Sequence, residues 1–301
     1  MKIRIFLVIL FVLTGLSPAW GADMTVAVLT SDGALPYEDV LAGFRAETRN
    51  RTMKMIILET GDDPKQLDGQ ISRHTPDVIL CLGAKALTQA SHIRDIPKVF
   101  ALITYAGMQP WLNRQDVYGV TLDLALPSQL RSIRQAFPDK KRIGLLYSPE
   151  QNQIIIDEAK KYAPSLGFGI VAYPVRSIRD IHNIIKDMDQ KIDLLLAIYD
   201  HTVYQPEAAK YILLQSLRKQ IPFVGFSPQF AKAGAVLALY GDYGDMGRQA
   251  AGQAMAVMDQ GENINRILRP RKVRTAINQK VAGAMRITFP PQFLKNIDQV
   301  Y

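Results

Sequence analysis

The sequence predicts an α/β protein of two lobes, each built on a parallel sheet, joined by a multi-strand hinge. Three observations carry this. Short apolar runs alternate with helix-period segments at the pitch of βαβ units. The alternation stops near Thr121 and restarts at Pro127. Polar residues and glycines gather where the strand-like runs end, as they do along the carboxyl edge of an open α/β sheet.

Taken in order, Thr25–Leu29 reads as a strand, Thr30 to Gly33 as a polar loop, and Tyr37–Arg49 as a helix on the spacing of Val40, Leu41 and Phe44. Met53–Leu58 is a second strand. Asp62 or Asp63 caps the next helix, with Pro64 in its first turn and its end near His74. Asp77–Leu82 is a buried strand, and Gly83-Ala84-Lys85 turns into a short helix. Pro97–Ile103 and, after an irregular loop, Val117–Thr121 complete the first set. The second set begins with a helix over Pro127–Ala136 and a strand over Arg142–Tyr147. A helix over Asn152–Ser165 then stops before Gly167. Phe168–Tyr173, a helix around Ile178–Met188, Ile192–Ile198, a helix over Gln205–Gln220 and Pro222–Gly225 follow. Beyond a polar turn at Ser227–Gln229 come a strand at Ala235–Leu239 and a helix over Tyr243–Met258. Asp242 is in position to cap that helix, with Asp245 favoured by its dipole. The tail holds a basic run, Arg266–Arg274, a strand-like Val273–Ile277 and a final short helix. The expected division is lobe one over 22–119 with 241–265, and lobe two over 122–240 with 272–295.

Residues 1–21 stand outside this plan. Lys2 and Arg4 precede an apolar run from Ile5 to Leu16, and small residues follow at Ala19 and Gly21, the arrangement of a secretory signal peptide. A periplasmic location and cleavage after Gly21 are expected, with an uncleaved anchor as the alternative. Hydrophobic content of 48% and charged content of 21% are those of an ordinary globular chain. Without Lys2 and Arg4 the formal charge falls from +8 to +6, which together with secretion argues against nucleic acid as a partner. Cys81 is the single cysteine, so no intrachain disulfide forms, and its apolar surroundings mark it as a small buried hydrophobe. The four histidines lack metal-ligand spacing. No Gly-x-Ser-x-Gly elbow, phosphate-cradling loop or His-Glu-x-x-His occurs, so no catalytic residue and no cofactor are assigned, and a Schiff-base role for Lys85 has only its position behind it.

Five phrases carry a resemblance. Asp77-Val-Ile-Leu-Cys-Leu-Gly83, Val117-Tyr-Gly-Val-Thr121, Arg142-Ile-Gly-Leu-Leu-Tyr-Ser-Pro149 and Ile221-Pro-Phe-Val-Gly-Phe-Ser227 are followed by Lys232-Ala-Gly-Ala-Val-Leu-Ala-Leu with Asp242-Tyr243 and Gly247-Arg248-Gln249-Ala250. In this order and behind a signal segment, they resemble the periplasmic substrate-binding components of ABC transporters, in the branch related to tryptophan- and tyrosine-binding proteins. The resemblance spans nearly all of the mature chain. It implies two Rossmann-like lobes of the type I periplasmic-binding-protein-like fold that close on a small ligand and deliver it to an ABC permease. A ligand sensor of the same fold that signals to a receptor kinase is the alternative. A monomer is expected. One departure stands out: where the family commonly has Gly-Thr-Pro after the third strand, this chain has Gly83-Ala84-Lys85.

Ligand contacts are expected from polar residues at strand ends: Ser31, Asp32, Lys85, Thr104, Tyr105, Ser148, Asp200, Thr202, Ser227 and Asp242. The same residue types also serve as caps and turn formers, so each has a plain structural alternative. Asp200 and Asp242 follow strands, and the resemblance implies acidic residues at both positions. Lys85 suits an anion and the two aspartates a ligand amine, which together point to an amino-acid-like ligand. Tyr105, Tyr199, Tyr204, Tyr240 and Tyr243 fall in the same loops and could hold an apolar or aromatic body. The basic run from Arg266 to Arg274 reads chiefly as a solvated crossing segment, with a contact to a membrane partner or anionic lipid as the alternative.

Overall fold

The computed structural model describes residues 24–30, 35–59, 64–188, 190–259 and 264–301. The proposed signal segment and the candidates Ser31 and Asp32 lie outside the described residues. The first part of the chain gives β1 (Met24–Thr30), α1 (Leu35–Thr48), β2 (Met53–Glu59), α2 (Pro64–His74), β3 (Val78–Leu82), α3 (Ala84–Ala90), β4 (Lys98–Ile103) and β5 (Val117–Thr121). The second gives α4 (Leu126–Ala136), β6 (Arg142–Tyr147), α5 (Pro149–Tyr162), β7 (Gly169–Pro174), α6 (Ile178–Asp187), β8 (Leu194–Leu196), α7 (Pro206–Arg218), β9 (Phe223–Gly225), α8 (Pro228–Ala233) and β10 (Leu237–Gly241). The tail adds α9 (Tyr243–Met258), β11 (Ile267–Leu268), β12 (Val273–Ile277), α10 (Gln279–Ala284), α11 (Pro291–Leu294) and β13 (Gln299–Val300).

These strands form two sheets in the orders β11-β5-β4-β3-β1-β2 and β13-β12-β10-β9-β8-β6-β7. Every pairing in the first sheet is parallel, and in the second only β10 with β12 is antiparallel. This is the two-sheet α/β architecture expected from the alternation. Each sheet with its covering helices is called a lobe below. The chain passes between the lobes three times, at 122–125, at Asp242 and at 269–272.

Parallel strands with both faces covered read as unbroken apolar runs, and β3, Val-Ile-Leu-Cys-Leu, is buried along its whole length. In lobe one, α1 and α9 cover one face through Val40, Phe44, Met246 and Ala250, while α2 and α3 cover the other through Leu67, Ile71 and Leu87. In lobe two, α4, α5 and the tail helices pack on one face and α6 and α7 on the other. Cys81 lies inside lobe one, where burial pushes its thiol up to about 12 and leaves it inert. Three segments differ from the sequence reading. Pro149 opens α5 earlier than Asn152, as proline favours a first helical turn. The polar turn at Ser227–Gln229 is the entry to α8. The basic run contributes β11 to the first sheet.

Gly247, Ala250, Ala251 and Ala254 leave one side of α9 nearly bare, and that side meets α1 directly. A Cβ on Gly247 would stand 2.0 Å from the Val40 carbonyl oxygen, and one on Gly43 would stand 1.8 Å from that of Gly244. Backbone is what obstructs, and backbone cannot rotate away. Gly247→Leu is therefore expected to cost about 3 kcal/mol by overpacking, read as a lowered urea midpoint; an unchanged midpoint would mean that the two helices separate freely.

Candidate functional site

The carboxyl ends of β4, β6, β8 and β9 bring Thr104, Ser148, the loop 197–203 and Phe226 towards one place. Between them lies a cavity of about 190 Å³, lined by Thr104 of lobe one and by Gln151, Tyr199, Asp200, His201, Tyr204 and Phe226 of lobe two. Both lobes therefore contribute to one wall. Thr104 follows an irregularity in β4, where the register shifts between Ala101 and Ile103 and Leu102 takes φ 63°. Such a break turns the strand end away from the regular ladder. The Thr104 hydroxyl accepts the Gly107 N–H at 3.0 Å.

Asp200 is buried and organises the lobe-two wall. One carboxylate oxygen accepts the Ser148 N–H at 2.6 Å and Asn152 Nδ2 at 2.9 Å; the other accepts the N–H groups of Thr202 at 3.0 Å and Val203 at 3.1 Å. Four donors occupy the lone pairs of both oxygens. Asn152 reaches it because α5 is kinked there, at φ −126°, and the same amide donates to the Tyr199 carbonyl at 3.0 Å. Thr202 Oγ1 accepts Gln151 Nε2 at 2.7 Å, which sets the Gln151 side chain on the rim.

The remaining wall is aromatic. Tyr199 and Phe226 have ring centroids 4.2 Å apart, and the Tyr199 hydroxyl donates to the Phe226 carbonyl at 3.0 Å. Tyr204 stands edge-on to Phe226 at 5.8 Å. Its hydroxyl is buried with no hydrogen-bond partner among the described residues, an unmet donor on a residue that lines the cavity. Burial pushes both phenols up, so they stay protonated donors.

Beneath the cavity the crossing segments carry charge. Asp123, on the first crossing, is buried beside Tyr199 and Phe226 and accepts the Tyr105 N–H. Burial pushes its carboxyl up to about 6, against the Tyr105 hydrogen bond and the nearby Arg269 guanidinium. Arg269, on the third crossing, pairs with Glu158 of α5 through two hydrogen bonds of 2.8 and 3.0 Å and lies 5.6 Å from the Tyr105 ring centroid. The basic run is thus engaged rather than merely solvated. Arg266 donates to the carbonyls of Leu112 and Arg114, Arg271 pairs with Asp245, and Arg274 with Asp242 and Asp298.

Of the ten candidate positions, Thr104 and Asp200 line the cavity, and Tyr105, Ser148 and Thr202 are bonded into its support. Lys85 sits exposed in the first turn of α3, on the same carboxyl edge as Thr104 but outside the cavity lining. Asp242 is the N-cap of α9. It accepts the Asp245 N–H at 2.8 Å and pairs with Arg274 at 2.6 Å, on the edge of a separate groove of about 660 Å³ that also takes Tyr240 and Tyr243. Ser227 lines an apolar groove between α7 and α8. Gln151, Asn152, His201, Phe226 and Asp123 were missed. Polar type alone selects strand-end candidates and passes over Phe226, although it directly follows the apolar run of β9. Asp123 follows β5 by the rule that picked out Asp200.

A cavity between the carboxyl edges of two largely parallel sheets is the arrangement of a two-lobed small-molecule-binding protein. The family model for ABC transporter substrate binding proteins matches residues 60–301, and the chain belongs to that family. The fold is shared with several solved structures. One is a domain from Streptococcus pneumonia in complex with L-Trp, at TM-score 0.64 and 19% identity, covering 93% of this chain and 100% of that one. A ligand-free, open substrate-binding protein with adhesive properties from Clostridium difficile matches at TM-score 0.73 and 16% identity, covering 92% and 99%. A conserved domain protein from Vibrio cholerae matches at TM-score 0.63 and 19% identity, again over 92% and 99%. A search of the curated proteins returned no match.

The raised carboxyl of Asp123 has a consequence for stability. The folded chain holds this proton to about pH 6, whereas an unfolded aspartate releases it near the usual 3.8. The folded state therefore binds the extra proton over that window, and stability falls as pH rises through it. The loss is on the order of 3 kcal/mol. Asp123→Asn, which keeps an acceptor for the Tyr105 N–H, should flatten the urea-unfolding free energy from about pH 4 to about pH 7 relative to the parent. Parallel curves for the two proteins would rule Asp123 out as the source.

Proposed function

We propose that this chain is a secreted solute-binding protein that captures a small, amino-acid-like ligand with an aromatic or apolar body between its lobes and delivers it to an ABC permease. The observation that carries the reading is the shared cavity: Thr104 from one lobe faces Gln151, His201 and the Tyr199–Phe226–Tyr204 wall of the other. Aromatic rings with a few convergent polar groups are what a compact amphipathic ligand needs. A ligand seated there touches both lobes at once, so its binding free energy favours their approach. The terminal segment 1–21, with basic residues before an apolar run, supports secretion to the periplasm, where such a protein meets its permease.

The two aspartates enter differently from the sequence reading. Asp200 already accepts four hydrogen bonds and Asp242 is committed to its helix cap and to Arg274. Both are read here as supports, and the polar end of the ligand is assigned to Thr104, Gln151 and His201, with Lys85 further along the same edge. A thermal-shift screen over the amino acids tests the ligand class, since a ligand at a hundred times its dissociation constant adds about 2.7 kcal/mol. With the best binder, Phe226→Ala should weaken affinity tenfold or more, about 1.4 kcal/mol. Asp242→Asn, which preserves the cap, should leave it within about twofold. A tenfold loss in Asp242→Asn by calorimetry would return that carboxylate to the ligand, and an unaltered Phe226→Ala would move the ligand away from the aromatic wall.

A further inference from the structure

We propose that the groove between α7 and α8 of lobe two is a second ligand site, separate from the cleft, for an amphipathic monocarboxylate of short fatty-acid form. The groove encloses about 600 Å³ and shares no lining residue with the cleft cavity. That volume is the size of a small-molecule site. Its walls are the Ala209, Leu213, Leu214 and Leu217 stripe of α7 and Phe230 with Ala233 of α8. Leu214, 44% exposed, leaves the apolar wall open to solvent along α7.

The polar groups of the groove are confined to one end. Both helices run back from the carboxyl edge of the sheet, which puts Lys210 early in α7 and Ser227 and Gln229 at the start of α8 on the side of that edge. Among the described residues, none of these three side chains has a hydrogen-bond or ion-pair partner, and no acidic residue lines the groove. One cation and two neutral hydrogen-bonding groups match the charge and the acceptor oxygens of a single carboxylate. The other end, at Leu217, Ala233 and Gly234, is apolar, and beyond its own chain neighbours no atom stands within 4 Å of where a Gly234 Cβ would be. A dianion or a zwitterion would bury a charge there without a partner, whereas an alkyl chain would not. From Lys210 to Leu217 the helix advances ~10 Å at 1.5 Å per residue, a length suited to a chain such as that of decanoate. The lysine stem can lie along the groove while its ammonium meets the head group.

The test is calorimetric titration of the purified protein with sodium decanoate, decylammonium chloride and 1-decanol. Decanoate is expected to saturate one site, with the alcohol and the cation at least tenfold weaker. Lys210→Glu should weaken decanoate at least tenfold. Leu214→Glu, at an exposed position that the fold tolerates, should do the same with the thermal midpoint kept. Gln151→Ala, on the cleft rim and bonded to Thr202 rather than to any groove residue, should leave decanoate binding unchanged. The proposal is overturned by the absence of saturable decanoate binding, by equal binding of the cation, or by binding that survives both groove substitutions. Self-association in sedimentation that disappears in Leu214→Glu would also overturn it, by making a second copy of the chain the occupant.

Discussion

The half of the site that lobe two provides depends on one buried carboxylate. An ionised aspartate removed from water costs several kcal/mol unless its oxygens are satisfied. Asp200 meets that condition with four N–H donors from three separate segments: the end of β6, the kinked start of α5, and its own loop after β8. Hydrogen bonds to a charged acceptor contribute roughly 1.5–3 kcal/mol each, so the set offsets the desolvation and ties the segments into one unit. Tyr199, Gln151 and Thr202 inherit their positions from it. The aromatic wall is then set by a second backbone contact, the Tyr199 hydroxyl on the Phe226 carbonyl.

A different kind of constraint governs the passage between lobes. Each crossing carries a charged residue bound to a neighbouring element: Asp123 to the end of β4, Asp242 to Arg274 at the start of β12, and Arg269 to α5. Pairs of this sort in full solvent are worth little. At two of the crossings one side is withdrawn from water, Asp123 and Asp242 both being buried, whereas Arg269 and Glu158 stay partly exposed. Any rotation of one lobe against the other would have to run through these three segments and bend or break these contacts. Asp123 sits where the first crossing meets the site, within reach of both Tyr105 and Tyr199.

The sheets were legible in the sequence because parallel strands buried on both faces leave unbroken apolar runs, as in β3 and β6, and because glycines on α9 announce a close neighbour. The site was legible as a region and much less as a set of residues. A strand-end aspartate looks the same in sequence whether it meets a ligand, caps a helix or gathers backbone amides. What separates Asp200 from Asp242 is which donors reach them across about fifty residues for the one and about thirty for the other, Ser148 and Asn152 against Arg274, and no local spacing encodes that. The kink at Asn152 that delivers one of those donors has no proline or glycine at that residue to signal it. Ser227 shows the same limit. Being at the end of β9 placed it on the correct edge, and the packing of α8 against α7 turned it to a different groove.

One ligand held by both lobes in the cavity at Thr104 and Phe226 would perturb both lobes together. The most direct measurement is amide chemical-shift mapping of the labelled chain during titration with the amino acid that gives the largest thermal shift. Saturable changes with a single affinity are expected at Thr104 and Tyr105 in lobe one and, in lobe two, at Gln151, Tyr199, His201 and Phe226. Changes confined to one lobe, or centred on the groove at Lys210 and Leu214, would contradict a ligand held by both lobes.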